Sequence, residues 1–357
     1  MSSVIVLTVL FSLVSYLCYW LRVWSWSRVS FSEMNFFKAG KCESNARLDN
    51  KTTIVTGANT GIGQITAKDF YVRGARVIIA CRDLDKAAKA VDEIKQSVSS
   101  VDKKLLGELI IKQLDLSSLS SVKRCAKDIL QSEQRIDILV NNAGVMMCPK
   151  NKTEDGIELQ FGTNHLGHFL FTCLLLPRIR HSTPARIVIV SSLAHKTGGK
   201  IHFDDINLER GYTPIIAYAQ SKLANILFGK ELAERLKGKG VNTYSLHPGV
   251  VRTELTRHLN TAFIPGARPI VRMFLRTFDK TPEEGAQTTI YCAVDEKVKD
   301  ETGCYYSDCK KVTPSARARK SEDAKKLWDL SVQMVGLGDW DPFTAPNDTL
   351  PPILQSI

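Results

Sequence analysis

Thr52-Thr53-Ile54-Val55-Thr56-Gly57-Ala58-Asn59-Thr60-Gly61-Ile62-Gly63 joins a β-branched run to three glycines spaced G-x-x-x-G-x-G. The run reads as a strand and the residues after it as the start of a helix. Glycine tolerates positive φ and lets the backbone come close to a ligand. A helix that begins at such a turn offers unpaired N–H groups and the positive end of its dipole, which suits phosphate. Gly57, Asn59, Thr60, Gly61, Ile62 and Gly63 are therefore predicted to hold the pyrophosphate of a dinucleotide.

Outward from this turn, short apolar runs alternate with helical stretches. Strands are predicted at 76–80, 109–114, 136–140, 186–190, 241–246 and 304–307. Continuous apolar strands separated by helices imply a parallel sheet covered on both faces. The predicted class is a doubly wound α/β fold, a Rossmann fold, with its ligand at the carboxyl ends of the strands. One catalytic domain is expected over 51–336, preceded by a linker over 22–50 and followed by an irregular tail over 337–357.

The end of the second strand bears on the cofactor. NAD sites place an acid there for the ribose hydroxyl, whereas an arginine suits a 2′-phosphate. This chain reads Ala80-Cys81-Arg82-Asp83, with Cys81 in the acid's place. A guanidinium fork pairs well with phosphate. NADP(H) is expected over NAD(H), with Arg82 as the selecting residue and Asp83 the feature that argues against it.

Four more segments follow in order: Asp115-Leu116, Asn141-Asn142-Ala143-Gly144, Ser191-Ser192 and Tyr218-Ala219-Gln220-Ser221-Lys222. With the glycine turn they resemble the short-chain dehydrogenases/reductases over roughly 50–310. The resemblance implies that Asp115 and Leu116 flank the adenine and that Asn142, Ala143 and Gly144 wall the cofactor cleft. It implies that Asn164 holds a helix distortion and a proton-relaying water. Pro248, Gly249, Val251 and Thr253 would lie on the nicotinamide side, with Thr253 facing the carboxamide.

The chemistry also follows from the residues. Hydride transfer to a carbonyl creates an alkoxide that needs a proton. Tyr218 and Lys222 share a helical face. A free phenol, with a pKa near ~10, is a poor base at neutral pH. An ammonium about 5 Å away, at an effective dielectric of about 20, favours phenolate by roughly 3 kcal/mol, a drop of about 2 units. Ser192 would donate a hydrogen bond to the substrate oxygen. Asn164, Ser192, Tyr218 and Lys222 are the expected catalytic set, and Lys222 would also hold the ribose hydroxyls. Taken singly, Tyr218 reads equally well as a core aromatic and Ser192 as a turn serine.

Longer stretches, Asn141–Met147, Thr163–Phe169, Ser191–His195, Ser221–Asn225 and His247–Thr253, resemble the NADP-preferring microsomal retinol dehydrogenases. That implies a retinaldehyde or other lipid aldehyde as substrate, or the matching alcohol. Ser192, Met146 and Leu193 would face it. The competing readings are a carbonyl reductase for sterols, fatty aldehydes or isoprenoids, and a scaffold or sensor that binds NADP(H) without turnover. A nucleotide-sugar epimerase would usually need a longer carboxyl-terminal domain. His165 and His168 suggest packing or hydrogen bonding rather than a metal site, and no metal is expected. His195 reads as a loop residue or a substrate contact.

Residues 1–21 carry no charge, and Val4 to Leu21 is apolar enough for a transmembrane anchor. Eighteen residues at ~1.5 Å rise span roughly 27 Å, near the ~30 Å hydrocarbon core. Tyr16, Tyr19, Trp20, Trp24 and Trp26 fit an interfacial belt, and Arg22, Arg28, Lys38 and Lys41 follow it. That asymmetry places the domain in the cytosol, with the endoplasmic reticulum the expected membrane. Phe263 to Phe278 interleaves apolar and basic residues and fits either a lipid-contacting amphipathic helix or a lid. The net charge of +11 comes from scattered residues without a nucleic-acid motif, so no nucleic-acid partner is expected. Nine cysteines at irregular spacing read as free thiols of a reducing compartment. A homo-oligomer is compatible with the sequence and not required by it.

Overall fold

The structure, a computed structural model, describes residues 40–251 and 280–355. Its strands are β1 (Thr52–Thr56), β2 (Arg76–Cys81), β3 (Glu108–Gln113), β4 (Ile138–Asn141), β5 (Ala185–Val190), β6 (Val241–His247), β7 (Cys304–Ser307) and β8 (Lys310–Lys311). They form one 8-stranded sheet in the order β3-β2-β1-β4-β5-β6-β7-β8. All pairings are parallel except β7 with β8. The chain winds outward from β1 to β3, then crosses to β4 and winds the other way. The crevice at that reversal, between β1 and β4, is where such sheets bind ligands.

Both faces of the sheet are covered, which explains the unbroken apolar strands. Ile54 and Ile78 join one core, while Val55, Val77 and Ile79 join the other. Helices α1 (Gly61–Val72), α2 (Leu84–Ser97) and α6 (Pro282–Val294) cover the second face. Helices α3 (Leu119–Ser132), α4 (Gly167–His181) and α5 (Pro214–Arg235) cover the first, and α7 (Ser321–Val335) packs on α5. Helix α4 is buried on all sides, with Leu170, Leu174, Leu175 and Leu176 at 0% exposure. Each such leucine contributes roughly 2 kcal/mol of transfer free energy.

The starts of the helices follow side-chain capping. Asp83 accepts from Lys86 N (3.0 Å) at α2, and Ser118 from Ser121 N (3.3 Å) at α3. At α6, Thr281 and Glu284 form a capping box. At α1, by contrast, Thr60 makes no side-chain cap and no acid stands in the first turn.

The termini of the domain differ from the sequence expectation. Residues 40–50 fall in the predicted linker, yet they lie on the domain. Cys42 and Leu48 are buried, Leu48 N donates to Arg73 O (2.8 Å), and Arg73 Nη1 donates to Ala46 O (2.8 Å). The tail after Gly336 is mostly without regular structure, but it ends in α8 (Pro352–Gln355) and is held down. Leu337, Phe343 and Leu354 are buried, and the Arg235 guanidinium lies 4.5 Å from the Trp328 ring and 5.9 Å from Phe343. Strand β4 begins two residues later than predicted, and β8 was not foreseen. The apolar stretch 4–21, Thr253 and the segment 263–278 lie outside the described residues. Among the described residues no helix is long and apolar enough to cross a membrane.

Candidate active site

The glycine turn leaves no room for side chains. Gly57 has φ +65°, and a Cβ there would stand 2.9 Å from the Cβ of Ala143. A Cβ on Gly63 would meet Gly57 O at 2.5 Å and Asn142 Nδ2 at 2.6 Å. Backbone thus packs on backbone between the β1 and β4 turns. The uncapped amino end of α1 faces the crevice with no side chain in competition. This cradle fits a pyrophosphate.

One hydroxyl organises the crevice floor. Thr56 Oγ1 accepts from Asn142 N (2.9 Å) and Ala143 N (3.0 Å) and lies 2.8 Å from His168 Nε2. His168 Nδ1 is 3.0 Å from the carbonyl of Asn164, which can only accept. The proton is therefore on Nδ1, and Nε2 accepts from Thr56. Burial agrees with that neutral form, holding His168 down at about 4. Asn142 closes the arrangement by donating through Nδ2 to Thr56 O (2.8 Å).

Asn164 sits in a π-helical turn, Gly162–Leu166, just before α4. Its side chain is fully occupied with the wall opposite. Oδ1 accepts from Val145 N (2.8 Å), and Nδ2 donates to Val145 O (2.9 Å) and to Ser221 Oγ (2.9 Å). It thereby links the β4 turn to α5. The helix distortion expected at Asn164 is present, and such turns recur at functional sites.

Helix α5 carries the two ionisable groups. Thr213 caps it at Ile216 N (3.3 Å), and Pro214 occupies its first turn. Tyr218 is 5% exposed and Lys222 3%. The Lys222 Nζ lies 5.7 Å from the centre of the Tyr218 ring and donates to Val190 O (3.2 Å). Asn225 Nδ2 donates to the same carbonyl (3.2 Å). Ser191 Oγ donates to Lys222 O (2.6 Å), locking β5 to α5. Ser192 stands beside the Tyr218 phenol and accepts from Ala194 N (3.2 Å). A Cβ on Gly144 would lie 3.1 Å from Asn164 Oδ1 and 3.5 Å from Lys222 Nζ, so those two groups flank one glycine. Asn164, Ser192, Tyr218 and Lys222 are thus gathered at one place.

The protonation states differ from the sequence expectation. Burial pushes the phenol of Tyr218 up to about 12, with the Ser192 hydrogen bond pulling it partway back. Burial lowers the Lys222 ammonium to about 8. Desolvation outweighs the attraction that was expected to make the phenol acidic. At neutral pH the phenol keeps its proton and the lysine its charge, a pair set to donate a proton.

Around this centre the other predicted residues fall as follows. Arg82 is exposed at the end of β2 and has no carboxylate partner among the described residues. Asp83 caps α2, its Oδ1 accepting from Lys86 N (3.0 Å). Cys81 is buried against the glycine turn. Asp115 uses Oδ1 to accept from Ser117 N (2.9 Å) and Ser117 Oγ (2.6 Å). The carbonyl of Leu116 lies against Gly167, where a Cβ would approach it to 2.5 Å. Leu193 N donates to His247 Nδ1 (3.3 Å), tying the Ser192 loop to the end of β6. Met146 and Leu193 are half-buried, Pro248 is buried, Gly249 has φ +96°, and Val251 pairs with Lys280 in an isolated parallel bridge. His165 is buried with Nε2 at 3.0 Å from Ser331 Oγ. His195 Nδ1 donates to Ser192 O (2.7 Å), and its Nε2 accepts from Ser315 N (3.1 Å), which makes it a strut of the loop.

Sequence reasoning missed Thr56 as a hub, and with it Ser191, Ser221 and Asn225 as supports; His168 hydrogen-bonds, as expected. Thr56 stood inside the quoted stretch. Only its position at a strand end facing Asn142 marks it, and that facing is a product of the fold.

A family model for short chain dehydrogenases matches residues 51–263. Retinol dehydrogenase 11 of Mus musculus is 48% identical over 303 residues, which are 85% of this chain and 92% of that one. Retinol dehydrogenase 12 of Homo sapiens is 48% identical over 309 residues, 87% and 94% of the two chains. Among solved structures, an uncharacterized protein from Mycobacterium Paratuberculosis superposes with a TM-score of 0.65 at 34% identity, covering 84% of this chain and 98% of that one. The RhlG/NADP active-site complex of Pseudomonas aeruginosa does so with a TM-score of 0.56 at 27% identity, covering 72% and 94%. The chain belongs to the short-chain dehydrogenases/reductases, dinucleotide-dependent oxidoreductases of CH–OH and C=O groups, and within them it is similar to the retinol dehydrogenases.

Proposed function

We propose that this protein is a membrane-tethered, NADP(H)-dependent oxidoreductase that interconverts retinol and retinaldehyde, or a similar lipophilic alcohol and aldehyde. The single observation that carries the reading is the Lys222 ammonium 5.7 Å from the centre of the Tyr218 ring, at the mouth of a glycine-lined crevice. The named activity of the similar proteins gives the substrate class. Arg82, exposed and without a carboxylate partner among the described residues, is the group that would receive a 2′-phosphate. The apolar stretch 4–21 supplies the tether, and the basic residues after it place the domain on the cytosolic side, with the endoplasmic reticulum as the membrane.

The bound reduced nicotinamide supplies the hydride. This chain's residues do the rest. Ser192 donates a hydrogen bond to the carbonyl oxygen and stabilises the charge that develops on it. Tyr218, protonated at neutral pH, delivers its proton to that oxygen. Lys222 holds positive charge beside the phenolate that results, and this counts most at the moment of transfer. Asn164 keeps the β4 turn and α5 in register through Val145 and Ser221. In the oxidative direction the same groups act in reverse.

The full-length chain should consume NADPH with all-trans-retinaldehyde at least about tenfold faster than NADH, and Tyr218→Phe should lower the rate by about 10²–10⁴. Equal rates for the wild-type protein and Tyr218→Phe would remove the mechanism, and equal use of both cofactors would remove the role given to Arg82.

A further inference from the structure

The loop after β8 is an unusual stretch of surface. Between Lys310 and Lys320 the sequence holds Lys310, Lys311, Arg317, Arg319 and Lys320 and no acid. All five are exposed, as is Val312 at 38%. Glu301 takes up part of the charge of Lys311 (3.4 Å), and Asp308 is spent on Lys280. Glu322 and Asp323 stand beyond the loop at the start of α7. Arg317 donates to the carbonyls of Gly198 (3.2 Å) and Gly199 (2.9 Å), so its charge is not neutralised there. Exposed Lys200 adjoins it, and the two cations help hold His202 below its usual range, after burial, which is the larger cause.

Two connections give this surface a direction. First, it is bolted to the substrate side of the active site. Ser315 N donates to His195, and His195 donates to the carbonyl of Ser192. Second, it stands where the chain arrives from the apolar amino-terminal stretch. Gly40 lies so close on the β7–β8 turn that a Cβ there would overlap the carbonyl oxygen of Asp308. Cys42 N, two residues on, donates to Gln287 Oε1 (3.1 Å) on α6. Leu21 and Gly40 are 19 residues apart (40 minus 21). Fully extended, that spacer reaches at most about 65 Å. The chain from the apolar stretch thus enters the domain at this edge, with reach enough to let the edge meet the bilayer.

We infer that the Lys310–Lys320 loop, with Lys200, is the face by which the domain lies on an anionic phospholipid surface, turning the Ser192 loop toward the lipid. Each Lys or Arg close to an anionic leaflet strengthens association about fivefold, so the set can orient a domain that is already tethered. A substrate dissolved in the bilayer then reaches Ser192 and Tyr218 without crossing bulk water. This rests on the tethered reading above.

The test uses the full chain in nanodiscs of phosphatidylcholine, with or without phosphatidylserine, read by hydrogen exchange. Amides of 310–320 should exchange at least about threefold more slowly on the serine-containing discs, and the protection should vanish at about 0.5 M salt. Lys310→Glu/Lys311→Glu/Arg319→Glu/Lys320→Glu should abolish the protection. It should also raise KM for retinaldehyde in those discs about threefold or more, with turnover of a short water-soluble aldehyde unchanged. Retention on both discs with equal exchange of 310–320 would overturn this face and leave the tether standing. Protein free of both discs would overturn the tether and this face together.

Discussion

The two walls of the crevice are built on opposite principles. The cofactor wall, from Gly57 to Gly63 and across to Ala143, works through bare backbone at its glycines. The wall proposed for proton transfer, from Ser192 to Lys222, works by burying polar side chains. On the first, a Cβ at Gly63 would meet a neighbour at 2.5 Å, and the helix end stays open because Thr60 does not cap it. On the second, burial holds a phenol at about 12 and an ammonium at about 8. The first wall should be intolerant of added volume while costing little stability. The second should tolerate volume while weighing on stability, because a buried charge is expensive.

Lys222→Met separates the two most widely. It should lower turnover by about 10²–10³, since the phenolate loses its counter-charge. It should also stabilise the fold. The folded pKa of Lys222 lies near 8, below the ~10.4 of an unfolded lysine. The unfolded chain therefore binds the extra proton across that window, and stability rises with pH through it. At pH 7 the group costs the folded state about 3 kcal/mol, which methionine would relieve. Val190 O stays satisfied because Asn225 also donates to it. Thermal unfolding should show a higher Tm for the variant at pH 7 and a much smaller gap at pH 10. A lower Tm at pH 7 would refute the buried-charge account. In the wild type, reduction should decline as pH rises through about 8, where the ammonium is lost.

Gly63→Ala tests the opposite wall with a smaller effect. One methyl must displace Gly57 O or Asn142 Nδ2. Overpacking of this kind costs about 1–3 kcal/mol. The cofactor KM should rise about ten- to hundredfold while kcat at saturating cofactor changes by less than about threefold. A fall in kcat with KM unchanged would show that the two walls are not independent.

The two walls were also unequally legible in the sequence. A wall made of glycines between a strand and a helix depends on local spacing, and the quoted stretch contained all of its glycines. The strand positions followed from the same logic, since apolar period and length are local. Tyr218, Lys222, Ser192 and Asn164 were legible because their order along the chain is distinctive. Their electrostatics were not, because desolvation depends on what covers them, and those groups come from several elements. The Thr56 hub joins residues 86 and 112 positions apart. His165 finds Ser331 at a separation of 166. The packing of residues 40–50 depends on Arg73 and Leu105, and no periodicity marks such a strap.

Arg82 lies at the rim of the cofactor wall, and its effect should be the smallest of the set. It is exposed, so solvent and salt screen it, and an exposed charge pair is worth about 1 kcal/mol, or somewhat more with the bidentate geometry of phosphate. The neighbouring Asp83 carboxylate accepts from Lys86 N and leaves the Arg82 guanidinium unpaired among the described residues. Arg82→Ala should raise KM for NADPH about five- to twentyfold, leave KM for NADH within about twofold, and weaken further differences at high salt. Steady-state kinetics with both cofactors at two ionic strengths would read this directly. If both KM values rose together, Arg82 would be acting on the turn that follows β2, and the 2′-phosphate would have to be held from elsewhere.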